Sequence, residues 1–286
     1  MLNTLRVTIH NLIGLRGVRR RDYASAIVHF SKALQLSPTL PALLINRSFA
    51  YQAIGDYHQA AQDCTRAIEL DPRIAMAFYN RGICAKALED HDLAIADHSQ
   101  AVALDPNFAG AFGELGVAYF CKHRHAEAIT SFDRAIAIDP RDPDHYRNRG
   151  YARFHQGDFR EASDDLRHSL QLEADPFAML VCYLAQARNG NSTKHELARD
   201  AGAQTSEAWP FPVVAFFLGA LTADGVLAKA SGSIQEAEAH FYLGQWHLLR
   251  GNHADAAEAF RQAAKVGPSY LVEYVGAIAE LRRLQA

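Results

Sequence analysis

Residues 41–74 read PALLINRSFAYQAIGDYHQAAQDCTRAIELDPRI, and residues 75–108, AMAFYNRGICAKALEDHDLAIADHSQAVALDPNF, restate the pattern 34 positions later. Each stretch holds two helix-periodic segments parted by a turn and closed by Asp-Pro. Outward from these two, Pro38, Pro72, Pro106 and Pro140 keep the same 34-residue interval. A fixed period of this length in a helix-forming sequence predicts helical hairpins that stack on one another.

Counting each proline as repeat position 32 starts the repeats at Val7, Pro41, Ala75, Ala109 and Pro143. Small residues then align. Position 20 is Ala26, Ala60, Ala94, Ala128 and Ala162, position 27 is Ala33, Ala67, Ala101, Ala135 and Ser169, and position 8 is Gly14, Ser48, Gly82, Gly116 and Gly150. A larger side chain at such sites would overpack neighbouring helices at a cost of about 1–3 kcal/mol. Gly55 and Gly157 are expected to stop first helices, and the Asp-Pro pairs 71–72, 105–106 and 139–140 to stop second helices.

The pattern resembles the tetratricopeptide repeat (TPR) family over residues 7–174 and 237–268. The resemblance implies an all-α fold: a right-handed superhelical solenoid of antiparallel helix pairs with a concave groove for a partner. Three regions are expected. Residues 1–174 hold five repeats, the first atypical. Residues 175–236 are irregular, with helices near 176–188, 194–202, 210–220 and 222–230 and a turn at Trp209-Pro210-Phe211-Pro212. Residues 237–286 hold a sixth repeat and a capping helix over 269–284, with Leu271, Val275, Ile278 and Leu281 on its apolar face.

Comparing repeats within the chain exposes a pairing. Position 7 is Arg47, Arg81 and Arg149 in three repeats, and position 23 in the same three is Asp63, Asp97 and Asp165. The fourth repeat has Leu115 and Ser131, and the sixth has Leu243 and Ala259. Arginine and aspartate come and go together, which predicts an ion pair inside each of three hairpins. Position 6 is Asn46, Asn80 and Asn148, with Glu114 in the fourth repeat. An amide both donates and accepts, so a ladder of them suits a peptide backbone; local hydrogen bonding is the competing reading. Tyr79, Lys86, Arg147, Tyr151 and His155 are further partner-binding candidates, and Phe49, Phe120 and Phe154 are either anchors or core. His98 takes position 24, where Phe30 and Phe132 stand in sister repeats. A partly buried, hydrogen-bonded imidazole is expected there.

The net charge is only −3, so no strong overall field favours nucleic acid. Arg16, Arg19, Arg20 and Arg21 form a local basic run expected between two helices. Cys64, Cys84, Cys121 and Cys182 lack CxxC spacing and read as small helix-borne hydrophobes rather than a disulfide framework or zinc site. His123 and His125 have no neighbouring ligand cluster in the sequence, and no metal or cofactor is expected. The opening MLNTLRVTIHNLIGLRG is not an export signal as written, and no segment has the length of a membrane span. The chain as written is expected in the cytoplasm, or in the envelope if a signal precedes it.

A narrower resemblance lies in DPFAMLVCYLAQAR (175–188), WPFPVVAFFLGALT (209–222) and AEAHFYLGQWHLLRGNHADAAEAF (237–260). These segments look like the C-terminal half of NlpI-type bacterial TPR lipoproteins and their alphaproteobacterial relatives. That resemblance implies an envelope adaptor that presents substrates to a protease or to peptidoglycan hydrolases, and that dimerises. The broader expectation is a non-catalytic scaffold that holds a protein or peptide partner. An enzyme is the contrasting class. Its chemistry would have to come from Asp175, His195, Glu196, Asp200, Glu207, Asp224 and Glu236, among which no phosphate loop or nucleophile motif is recognisable.

Overall fold

The structure is a computed structural model that describes residues 2–191, 194–202 and 208–285, and every regular element among them is an α-helix. In order these are α1 (Leu2–Arg19), α2 (Tyr23–Leu36), α3 (Pro41–Ala53), α4 (Tyr57–Leu70), α5 (Ala75–Ala87), α6 (His91–Leu104), α7 (Ala109–Cys121), α8 (His125–Ile138), α9 (Pro143–Gln156), α10 (Phe159–Leu172), α11 (Pro176–Arg188), α12 (Lys194–Ala201), α13 (Phe211–Leu218), α14 (Ala223–Lys229), α15 (Gly232–Leu249), α16 (His253–Val266) and α17 (Val272–Gln285). They form two compact units, one running to Ala118 and one from Tyr119.

In the first unit, α1/α2, α3/α4 and α5/α6 are antiparallel hairpins, each packed on the next. Ala26, Ala60 and Ala94 at position 20 and Ala33, Ala67 and Ala101 at position 27 are fully buried. Position 8 of the first helix lies flat on position 24 of the second. A Cβ on Gly14 would stand 2.5 Å from the Phe30 ring, and one on Gly82 2.6 Å from the His98 ring. Ser48 replaces glycine only where position 24 shrinks to Cys64, and its hydroxyl donates to the Ile45 carbonyl at 2.8 Å.

Caps set the helix boundaries. Asp22, Asp56 and Asp90 at position 16 accept the backbone N–H of Ser25, Gln59 and Leu93, three residues on. The residue just before each is left-handed, at Arg21 (φ 59°), Gly55 (φ 80°) and Glu89 (φ 61°). Glycine is therefore not required at the end of the first helix. The basic run is also placed differently from the expectation: Arg16 and Arg19 belong to the last turn of α1, where cations suit the helix dipole, and only Arg20 and Arg21 form the turn. The outer face of α1 leaves Leu2, Leu5, Ile9 and Leu12 exposed.

The second unit opens with α8, α9 and α10, which keep the repeat geometry: a Cβ on Gly150 would meet Leu166 at 2.7 Å. The frame is lost at α11. Nine consecutive residues, Ala178 to Gln186, are buried there, so this helix is enclosed on all sides rather than on one stripe. It packs against α9, α10, α12 and α15. The short helices α12, α13 and α14 lead to α15 and α16, which restore the hairpin, with Gly244 lying on Phe260. α17 then packs on α16, α15 and α9. Its buried face is Glu273, Val275, Gly276, Ala277, Ala279 and Glu280. This corrects the apolar stripe expected from the sequence: Leu271, Ile278 and Leu281 are only half-buried.

Candidate functional site

Arginine brackets hold the repeats together. Arg47 donates to Asp63 through Nε and Nη2 at 2.7 and 2.6 Å, and its Nη1 reaches back to Ser31 Oγ at 2.9 Å. Arg81 forks onto Asp97 at 2.8 and 2.7 Å and reaches Thr65. Arg149 forks onto Asp165 at 2.9 and 2.6 Å and reaches Asp133 at 2.6 Å. In each case the fork closes its own hairpin, and the third nitrogen ties that hairpin to the one before it. The aspartates are buried and the arginines partly so, and the carboxylate partners hold the Arg47 and Arg81 guanidinium groups above their usual range.

Two of the asparagines expected to form a peptide-gripping ladder, Asn46 and Asn80, hydrogen-bond within the chain. Asn46 donates to Asn11 Oδ1 at 3.1 Å, and Asn80 is buried, with its amide nitrogen toward Ser48 Oγ. These contacts fasten adjacent first helices, α1 to α3 and α3 to α5. Gln52 adds a bond to the Asn80 carbonyl at 3.0 Å. Lys86 and Glu114 pair with each other at 2.5 Å. Tyr79 is half-buried between the rings of His98 and Phe108. What remains accessible in the first unit is a pair of stripes at three- and four-residue spacing. α3 presents Ala42, Ile45, Phe49 and Gln52, and α5 presents Met76, Tyr79, Ile83 and Lys86. Phe49 and Met76 are 47% and 43% exposed and stand on adjacent first helices, α3 and α5.

In the second unit, the candidates on α9 lie beneath the chain's own α17. Tyr151 and His155 are buried, and Arg283 donates to the carbonyl of His155. Burial holds the Tyr151 phenol well above, and the His155 imidazole well below, their usual ranges. Neither can meet a partner while α17 stays in place. Arg147 is engaged by Asp144 and Asp175 at 2.6 and 3.2 Å. Asn148 is half-buried on α9. Phe120 and Phe154 are core residues, not anchors.

Tetratricopeptide repeat models match residues 41–74, 75–108, 115–181 and 237–270. The chain belongs to the tetratricopeptide repeat family. Its fold is similar to that of the MamA protein, at 27% identity and a TM-score of 0.53 over 59% of this chain and 92% of that one. A TPR protein from Parabacteroides merdae aligns over 99% of this chain and 100% of its own, at 15% identity and a TM-score of 0.59. YrrB, described as a TPR protein with an unusual peptide-binding site, aligns at 20% identity and a TM-score of 0.52 over 60% of this chain and 87% of its own.

Outside the regular TPR hairpins, α10 to α13 surround a cleft of about 440 Å³ lined by residues that include Arg167, Asp175, Met179, Cys182, Glu196 and Arg199. Burial pushes the Cys182 thiol up to about 11, so it is a poor nucleophile at neutral pH. Cys64 and Cys84 are likewise pushed up, to about 12 and 11. Among the described residues no three His, Cys, Asp or Glu side chains are placed to hold a metal ion. No described helix is long and apolar enough to cross a membrane. Glu207 lies outside the described residues.

Sequence reasoning missed the polar seat of α17, made by Arg188, Tyr242 and Gln245. Arg188 and Gln245 bond Glu280 at 3.0 and 3.1 Å, and the Tyr242 hydroxyl donates to Glu273 at 3.2 Å. The available signal was Glu273 and Glu280 standing seven apart with Gly276 and Ala277 between them, a helix face built for close polar contact.

Proposed function

We propose that this TPR protein is a non-catalytic scaffold that binds a segment of a partner protein along the α3 and α5 stripes of its first unit. The exposure of Phe49 and Met76 on helices otherwise fixed by arginine brackets and amide ties carries this reading. The brackets hold the stripes in one geometry before contact, so little ordering cost falls on the scaffold when it binds. Apolar side chains supply the area, while Gln52 and the Lys86–Glu114 pair lie at the polar ends of the stripes. Burying one large apolar side chain stabilises a complex by about 1.5–3 kcal/mol, so Phe49 and Met76 together contribute about 3–6 kcal/mol, and the rest of the two stripes must supply what association costs beyond that. The peptide-binding site named for YrrB supports a binding role at the level of the fold. The NlpI-like segments extend the proposal toward an adaptor for envelope enzymes.

Capture by in-cell crosslinking and mass spectrometry, with wild type and a Phe49→Glu/Met76→Glu variant, tests the assignment. Loss of tenfold or more in recovery of the main partners, with helix content unchanged by circular dichroism, is expected. Equal recovery from a folded variant sinks the reading.

A further inference from the structure

α17 behaves in this structure as a ligand of its own chain. Its buried stripe places Glu273, Gly276, Ala277 and Glu280 at i, i+3, i+4 and i+7, a single helix face. A Cβ at Gly276 would come within 2.3 Å of His155 and 2.7 Å of Phe241, so only a hydrogen allows this approach. Each carboxylate enters a prepared pocket. Glu273 accepts from Tyr242, and Glu280 accepts from Arg188 and Gln245. Beyond Glu280, Arg283 donates to the carbonyl of His155, 128 residues earlier in the chain.

The helices forming this seat are locked without α17. Gly150 over Leu166 joins α9 to α10, Gly244 over Phe260 joins α15 to α16, and α11 packs against both α9 and α15. The contact sets the buried Val275, Ala277 and Ala279 beside carboxylates, a guanidinium, an amide and a His155 ring whose two nitrogens have no hydrogen-bond partner. Desolvating such groups is costly, whereas directional charged pairing with a small-residue centre is how exchangeable helix contacts gain specificity.

We infer that the face formed by α9, α15 and α16, with Arg188 of α11 at its edge, is a helix-binding site occupied in cis by α17. Its trans ligand is an amphipathic helix of another protein with a hydrogen-bond acceptor at i, an acidic residue at i+7 and glycine or alanine at i+3 and i+4. Arg188 and Gln245 present donors to the acidic position, the Tyr242 hydroxyl donates at i, and the gap over His155 and Phe241 admits no large side chain. This site is separate from the α3–α5 stripes and stands or falls independently of them.

The test uses the full chain carrying Gly276→Leu, which forces α17 from its seat, and a fluorescent peptide of residues 272–285 with the native glycine as probe. Anisotropy should show the peptide binding this variant at least tenfold more tightly than wild type, and a Glu273→Lys/Glu280→Lys peptide should not bind. Equal affinity for both proteins overturns the inference, as does a variant that loses helix content well beyond α17. Hydrogen exchange on wild type gives a second reading. The α17 amides should exchange at least tenfold faster than those of α16, and equal protection overturns the inference. A concentration-dependent wild-type dimer dissolved by the peptide would show that the trans ligand is a second copy, which overturns the assignment to another protein.

Discussion

At the scale of single residues, the arginine brackets show what comparison within one chain can reveal. Arginine at position 7 and aspartate at position 23 are absent together from the fourth and sixth repeats, and in the three repeats that carry both they meet in a two-point fork. The third leg, onto Ser31, Thr65 or Asp133, was not legible because those residues share polarity but not identity. The asparagines mislead for a related reason. An amide that could grip a peptide can equally tie neighbouring helices, and residue type does not distinguish the two. The sixth repeat also supplies an apolar alternative to the bracket, Leu243 with Ala259. Asp97→Ala leaves Arg81 partly buried without its carboxylate and is expected to cost about 2–3 kcal/mol. Arg81→Leu/Asp97→Ala, which copies the sixth repeat, should recover at least half of that loss. Urea unfolding midpoints of the three proteins measure it, and a double variant no more stable than Asp97→Ala would show that the bracket is not an isolated pair.

At the scale of elements, helix ends were readable from the Asp-Pro pairs and from Gly55 and Gly157. The left-handed residues Arg21, Glu89 and His123 were not, because no composition signal marks a non-glycine in that conformation. The contact between positions 8 and 24 was half-legible: the small residue was evident, but the environment of His98 was not. The sequence suggested a hydrogen-bonded imidazole. The structure buries it completely with both ring nitrogens unpartnered, and burial, with a smaller contribution from Lys86, drives it down to about 3. A depressed histidine contributes stability that is complete above its unfolded value near 6.5 and is lost as pH falls toward 3. His98→Phe copies Phe30, which lies on glycine in the same way. It should stabilise the protein at neutral pH by about 1–2 kcal/mol by removing unpaired nitrogens. Its advantage over wild type should widen between about pH 7.5 and pH 4.5, since phenylalanine cannot be protonated. Thermal unfolding at both pH values measures this, and a constant gap would mean that His98 finds a proton partner in solution.

At the scale of the whole molecule, the period announced stacked hairpins but could not announce where α17 would settle. Repeats pack on sequence neighbours, so a period encodes local contacts, whereas α17 reaches α9 across more than a hundred residues through groups with no repeat equivalent. That closure places a carboxyl where a carboxylate is disfavoured. Glu273 of α17 is faced by Tyr242 and Glu238 from α15, by Tyr151 from α9 and by Asp175 at the start of α11. Burial first, and the Glu238 charge second, push it up from 4.5 to about 7. Because the folded value is raised, the stabilisation is complete below the unfolded value of 4.5 and is lost as pH rises through 7. Alkaline conditions therefore loosen α17 while leaving the arginine brackets charged. Glu273→Gln keeps the shape and the contact with Tyr242 but has no proton to lose. Above pH 7 it should be more stable than wild type by on the order of 2–3 kcal/mol, with the difference shrinking toward pH 5. Unfolding midpoints across that range, read together with hydrogen exchange of the α17 amides, decide the matter. A glutamine variant that tracks wild type at every pH would place the Glu273 carboxyl in water rather than against α15, and α17 off its seat.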